Sequence, residues 1–339
     1  MKTLRIVGIG GGTGLPVLLA GLAQEEGIDL SAIVCVSDNG GSSGRLRESF
    51  AMPAVGDLRN CLVALSGSDS RMADIFQYRF SGGGGLEGHA VGNLIVAALY
   101  QKTGSLRQAI EVASQLLPIK GRAIAATETP STLCAAFLDG AIVRGESHIS
   151  AARRPIERVW LEPESPPASP GVLEAISSAD AIVLAPGSLY TSLIPNLLVA
   201  GVAEAIQRST AIKILICNLM TQPGETDGFS ASDHLRVVED RLGRSVVEFC
   251  VVNSALPEGG AGNFRGQGAK PVEYDLRQIR SSGPIPIEAD LLMRQSEQIR
   301  HNPGKLGRLV IQIARVKARH TVPSVHFQDS QGVVSGCLN

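Results

Sequence analysis

The sequence predicts an α/β fold of the Rossmann-like kind, a mostly parallel sheet with helices on both faces and a smaller helical part. Three observations predict it. Short β-branched apolar runs alternate with segments of helical spacing. Glycine- and hydroxyl-rich turns end at least four candidate strands, where ligands of open α/β sheets collect. Hydrophobic residues make up 44% of the 339-residue chain, enough to bury a sizeable core.

The elements follow in order. Residues 4–9 are short, apolar and β-branched, a pattern that predicts a buried strand. A glycine turn at 10–14 leads into 15–23, apolar throughout and expected as a helix packed on a sheet. Residues 28–36 are the next strand, which completes a βαβ unit. The polar, glycine-rich stretch 37–59 is expected as a long functional loop, or a loop plus a helix. Helices are expected at 62–65, 72–80, 92–100 and 106–117, with a glycine tip at 81–85. Short strands are expected at 124–128 and 141–143, and the proline- and serine-rich stretch 162–170 reads as a linker or surface excursion. The alternation then resumes, with helices at 172–177, 197–208 and 233–241 and strands at 181–184, 212–217 and 246–252. An amphipathic helix at 305–318 comes last. Residues 1–318 are therefore expected to form a single nucleotide-binding domain, and 319–339 a disordered tail.

Composition narrows the function. Lys and Arg total 31 against 32 Asp and Glu, so no basic excess marks a nucleic-acid surface. Aromatic residues are 4%, too few for base-stacking platforms. No stretch reaches the roughly 18 apolar residues of a membrane span, so no membrane insertion is expected. The six cysteines contain no C-x-x-C pair, and the N-terminal run lacks the pattern of a cleaved leader. A cytoplasmic protein is the expectation.

Six segments carry candidate chemistry. In the first, Gly10, Gly11, Gly12 and Gly14 allow backbone amides to approach an anion, and Thr13 adds a hydroxyl. The spacing fits neither a Walker A loop nor a regular dinucleotide fingerprint. The second offers Asp38 and Asn39 with Ser42, Ser43 and Arg45, a set suited to a ribose hydroxyl, a hydrated cation or a diphosphate. The third holds Asp57 and Asn60. In the fourth, His89 and Asn93 are four apart and share one helix face if a helix begins there. His89 has no second His or Cys at ligand spacing, so no metal site is expected. The fifth, with Gly187, Ser188, Tyr190 and Thr191, is a second anion cradle after a strand, and the sixth, with Asn218 and Thr221, follows another. No serine or cysteine stands with a persuasive base, so no nucleophile is assigned.

Together these segments resemble the gluconeogenesis factor (YvcK-like) family, within the larger group that includes 2-phospho-L-lactate transferase (CofD). The resemblance runs over residues 3–315 and is carried by GGGTGL at 10–15, SDNGGSSGRLR at 37–47, GDLRNCLVAL at 56–65, GHAVGNL at 88–94, PGSLYTSLIPN at 186–196 and NLMTQPGET at 218–226. It implies a factor needed for cell shape and for growth on gluconeogenic carbon. UDP-N-acetylglucosamine or a dinucleotide is the implied ligand, without demonstrated catalysis. The transferase branch implies the alternative, movement of a phospholactyl group from a guanosine diphosphate carrier to a deazaflavin with Mg2+. The form of 37–47 matches the gluconeogenesis branch. Thr13, Asp38, Asn39, Ser188 and Asn218 fall in motifs that face the nucleotide in this family, and Arg300 matches a basic position for the sugar nucleotide. Phe264 stands where relatives often have Tyr. Pro303 replaces a phosphorylatable Thr of some relatives, so their kinase regulation is not carried over. A homo-oligomer and cell-wall-regulatory protein partners are compatible with the resemblance.

Overall fold

The computed structural model describes residues 3–67, 70–255, 268–294 and 299–316, together with the short strands at 327–329 and 332–334. The chain begins with β1 (Leu4–Gly10), α1 (Gly14–Leu22) and β2 (Ile28–Val34), the βαβ unit expected from the sequence. Five helices follow: α2 (Gly41–Phe50), α3 (Gly56–Leu65), α4 (Arg71–Gln77), α5 (Val91–Thr103) and α6 (Leu106–Gln115). They form the smaller helical part, inserted before β3 (Arg122–Ala125).

A segment unlike the rest comes next: β4 (Thr132–Phe137), β5 (Ile142–Arg144), α7 (Glu146–Ala152) and β6 (Ile156–Glu162). The three strands pair antiparallel in the order β5-β4-β6. The chain returns to the main sheet through α8 (Val172–Ser178) and β7 (Ala181–Leu184). A π-helical turn (Leu189–Leu193), α9 (Ile194–Leu197), α10 (Val202–Arg208), β8 (Ile212–Ile216), α11 (Ala231–Leu242) and β9 (Phe249–Asn253) follow. The last elements are α12 (Leu276–Ser282), β10 (Ile285–Ala289), α13 (Pro303–Val316) and the antiparallel pair β11 (Phe327–Asp329) and β12 (Gly332–Val334).

The main sheet has seven strands in the order β10-β9-β8-β7-β1-β2-β3, all parallel. Strand order reverses between β1 and β7. That is the switch point where doubly wound folds bind their ligands. Side chains alternate across the sheet, so Ala181 and Val183 join the core under α1, α3, α6 and α13. Ile182 and Leu184 face the opposite core, with α8, α10, α11 and the antiparallel sheet. Neither face meets water, which is why these strands read as continuous apolar runs. Among the described residues, no helix is long and apolar enough to cross a membrane.

Several elements differ from the sequence expectation. β4, β6 and β10 had no assigned strand. β4 has apolar, buried residues (Leu133, Cys134, Ala135, Ala136) at consecutive positions, which hides its alternation. The helix expected over 197–208 is two short helices, because Gly201 takes φ 78° just before α10. The stretch 162–170 packs against the body, with Pro167 bridging Ala200 and the Ser169 amide on the Ala126 carbonyl.

Candidate functional site

β1 and β7 lie side by side in parallel, and the turns that follow them meet. Gly10 closes β1, its carbonyl taking the Cys35 amide at 3.0 Å and Asn196 Nδ2 at 3.1 Å. Gly14 opens α1 against the turn after β7. A Cβ there would lie 1.8 Å from the Pro186 carbonyl oxygen, so only glycine lets the two turns meet. Asn218, just past β8, holds this junction from the other side. Its Oδ1 accepts from the Gly187 amide at 2.8 Å and its Nδ2 donates to the Gly187 carbonyl at 2.7 Å. Thr13 is exposed at the mouth of the turn.

The first amide cradle expected from the sequence holds a carboxylate of the protein itself; at the second, the Gly187 amide is taken by Asn218 and a carboxylate sits on the amides further along the turn. The Gly12 amide donates to Asp57 Oδ2 at 2.6 Å, and the Tyr190 and Thr191 amides donate to Glu225 Oε1 at 2.7 and 3.3 Å. Burial pushes the Asp57 carboxyl up to about 6 and Glu225 up to about 7, against the lowering effect of those amides. Glu146, at the start of α7, is raised well above the ordinary range by burial and by the nearby Asp38, Asp57 and Glu225. Arg47 is the adjacent cation, fixed by bonds to the Ser37 carbonyl and Thr132 Oγ1, both 3.0 Å. Asp38 Oδ1 itself takes the Gly40 amide at 2.7 Å. Among the described residues, no three His, Cys, Asp or Glu side chains are placed to hold a metal ion together.

A second group joins α2 to α5. Ser42 Oγ lies 3.0 Å from His89 Nδ1 and receives Asn93 Nδ2 at 3.0 Å, and Asn93 Oδ1 accepts from Arg59 Nε at 3.3 Å. All four side chains are buried. Ser42 Oγ thus joins His89 and Asn93 in one buried network. Burial and the nearby Arg45 lower the His89 pKa, which favours the neutral imidazole. Ser43 is buried beside Gly56, while Arg45 is exposed and donates to the Glu87 carbonyl.

A cavity of about 170 Å³ opens at the carboxyl ends of β8 and β9, lined by Asn218, Met220, Asn253, Tyr274, Leu292 and Ile299, among others. Arg300 follows Ile299, and its carbonyl accepts from the Met293 amide. His301 beside it is buried, and burial pushes it down to about 4, so it is neutral at physiological pH. A larger cavity of about 410 Å³ lies between α6, β3 and α8 and contains none of the glycine turns.

The site residues expected from the sequence thus divide into groups. Gly10, Gly11, Gly12, Thr13, Gly14, Gly187 and Asn218 meet at the switch point, next to Asp38 and Asp57. Ser188 Oγ sits beside them, bonded to Gln222 Nε2 at 2.7 Å. Other side chains are committed to the protein's own packing. Asn39 Oδ1 caps α7 through the Ser147 amide at 2.9 Å, and Thr221 Oγ1 takes the Lys270 amide at 3.0 Å. The Tyr190 ring is buried edge-to-face against Phe229. The Asn60 side chain on α3 makes no hydrogen bond to a described residue, and Phe264 lies outside the described residues. Sequence reasoning singled out neither Glu146 nor Glu225 as part of this region. Glu225 stood inside a quoted motif, but Glu146 follows a strand whose extent and partners had no clear signal.

The model of a family described as 2-phospho-L-lactate transferase CofD matches residues 6–292. The chain belongs to the CofD family. Within it, the chain is 42% identical over 313 residues to the gluconeogenesis factor of Halalkalibacterium halodurans, covering 92% of this chain and 97% of that one. It is 39% identical over 312 residues to the gluconeogenesis factor of Bacillus subtilis, covering 92% and 98%. A crystal structure of a UPF0052 family member from Bacillus halodurans superposes with a TM-score of 0.87 at 42% identity, covering 92% of this chain and 99% of that one. The CofD-family fold is thus the α/β architecture expected from the sequence.

Proposed function

We propose that this CofD-family protein is a gluconeogenesis factor that binds a UDP-sugar, UDP-N-acetylglucosamine, as a regulatory ligand. In this reading it supports cell shape during growth on gluconeogenic carbon. The names of its relatives support the gluconeogenic part of this reading. One observation carries the ligand half: Asn218 lines the 170 Å³ cavity and also clamps Gly187 by two hydrogen bonds. A nucleobase in that cavity and a diphosphate over the Gly12–Gly14 turn would then be read by one connected unit. The sugar would extend toward Asp38 and α2. The chain's residues bind and orient the ligand, and no bond-breaking step is assigned to them.

A second reading, transfer of a phospholactyl group from a guanosine diphosphate carrier, is favoured by the description of the family model. The raised Asp57, Glu146 and Glu225 carboxyls could hold a proton in such a reaction. Mg2+ would arrive with the diphosphate.

Titration calorimetry with UDP-N-acetylglucosamine, UDP, GDP and NAD separates the readings. Binding of the UDP-sugar without turnover is the expected result. No heat with any uridine nucleotide at millimolar concentration overturns the first reading, and product from a guanosine-linked donor, a deazaflavin and Mg2+ establishes the second.

A further inference from the structure

β3 ends the main sheet and pairs only with β2. Along a parallel strand, the N–H and C=O groups of successive residues point to opposite edges. The Ala126 amide donates to the Val34 carbonyl of β2. By alternation Arg122 and Ile124 also bond toward β2, and the peptide groups of Ala123 and Ala125 point away from the sheet. Those outward groups meet no partner among the described residues, although Ala123 and Ala125 are buried, at 7% and 6% exposure. Buried peptide groups are nearly always paired. Both residues line the cavity of about 410 Å³ between α6, β3 and α8. Ser169 lines it too and is 5% exposed, and its Oγ has no hydrogen-bond partner among the described residues.

The two walls of this cavity differ. On one, Leu106 and Ile110 of α6 share a core with the methyl groups of Ala123 and Ala125. On the other, Ala175 of α8 shares the opposite core with Ile124, and alternation puts Arg122 on that same face of β3. α8 runs opposite to β3. It starts just after Ser169, whose amide holds the Ala126 carbonyl, and leads to Asp180, whose amide holds the Arg5 carbonyl at the start of β1. Glu174, in the first turn of α8, therefore lies toward the carboxyl end of β3, while Arg122 opens that strand. Other charges of the lining are already engaged. Arg107 pairs with Glu111 at 2.7 Å, and Glu128 Oε2 accepts from Ser105 Oγ at 3.3 Å. The side chains of Arg122 and Glu174 make no bond to a described residue. The α8 wall thus carries an open cation at one end and an open anion at the other.

We propose that the β3 edge binds an extended peptide segment of a partner protein as an eighth strand of the sheet. The peptide backbone completes the outward groups of Ala123 and Ala125, since an extended chain repeats N–H and C=O at the two-residue spacing they present. An apolar side chain of the segment faces Leu106 and Ile110. The residues before and after it face α8 and carry opposite charges, one for Arg122 and one for Glu174. Two residues of a strand span about 7 Å, so three consecutive positions supply the whole pattern. Ser169 Oγ offers one more polar partner beside the strand. This edge is remote in sheet order from the switch point, and the inference does not rest on the nucleotide reading.

The test titrates two capped pentapeptides, Thr-Lys-Val-Asp-Thr and Thr-Asp-Val-Lys-Thr, into the full chain by calorimetry up to millimolar concentration. They carry the same charges in opposite order. Tighter binding of the first means a strand antiparallel to β3, and of the second a parallel one. Saturable binding of either that weakens about tenfold or more in Ala125→Pro and in Glu174→Lys, but not in Asn218→Ala, supports the proposal. Proline at 125 removes an outward N–H and no bond to β2, a position where an edge strand tolerates it. Failure of both peptides to saturate overturns the proposal, as does binding unchanged in both edge variants. A dimer of the unliganded chain in sedimentation that Ala125→Pro dissociates overturns it too, because a second copy then occupies the edge. If Ala125→Pro fails to fold, the exposed Glu174→Lys decides. UDP-N-acetylglucosamine affinity measured on the same samples keeps failure of the nucleotide reading separate from failure of this one.

Discussion

The Gly12 amide donates to Asp57 Oδ2 at 2.6 Å, so the glycine turn that opens the fold already holds an anion belonging to the protein. Glu225 does the same for the amides of Tyr190 and Thr191. Without a ligand, these carboxylates satisfy donors that would otherwise be buried and unpaired. A phosphate entering the crevice meets both the remaining amides and the charges of its internal competitors.

The ligand-free protein should lose stability as pH rises toward neutrality. Asp57 goes from an ordinary 3.8 to about 6 and Glu225 from 4.5 to about 7, so the folded chain holds these protons more tightly than the unfolded chain. Their contribution is therefore full below the ordinary values and is lost as pH climbs through the raised ones, on the order of 1–3 kcal/mol per group. Denaturant midpoints of wild type and an Asp57→Asn, Glu225→Gln double variant, compared across this range, give the check. The variant's profile should be flatter, and equal slopes refute the assignment.

Asp57→Asn should tighten UDP-N-acetylglucosamine binding about tenfold above neutral pH in a chelated buffer, because it removes a negative charge beside the phosphate turn. The amide oxygen can still accept from Gly12. Weaker binding, read by calorimetry, would mean that the carboxylate itself touches the ligand.

Asn218→Ala removes both bonds to Gly187, and the neutral-pair range of about 0.5–1.5 kcal/mol each sets the expected stability loss. Nucleotide affinity should fall about tenfold or more, since the turn and the cavity lose their common anchor. A variant with unchanged affinity would place the ligand elsewhere.

Two glycines should behave in opposite ways. Gly14→Ala drives a methyl against the Pro186 backbone at 1.8 Å and should cost at least about 3 kcal/mol, or prevent folding. Gly83→Ala meets open space and strains only its φ of 90°, at about 1 kcal/mol. Thermal melts of the two proteins report the contrast directly.

The seven-stranded sheet was legible because its strands, buried on both faces, are apolar runs punctuated by glycine turns at the same end. The antiparallel sheet was not. β4 runs Leu133, Cys134, Ala135 and Ala136 without alternation, and β6 carries the exposed Glu157 and Arg158 at adjacent positions. At the site, glycines announced themselves because only they tolerate the contact at Gly14 or the φ of 138° at Gly187. The roles of Asn39 and Thr221 were hidden, since a polar side chain in a motif can serve the ligand or the backbone, and sequence alone weighs both alike. Glu146 stayed invisible because only the fold brings it near Asp38 and Asp57.

α1 and α13 pack so closely that a Cβ on Gly21 would lie 1.9 Å from the Pro303 carbonyl oxygen, and one on Gly307 would lie 2.6 Å from the carbonyl carbon of Gly21. α1 thus finds its full seat only when α13, far along the sequence, has been made. Its apolar residues Leu15, Leu18 and Leu19 must wait through the synthesis of every element between the two helices for that cover. A nascent chain stalled between α1 and α13 keeps this apolar face open and is a natural client for a chaperone.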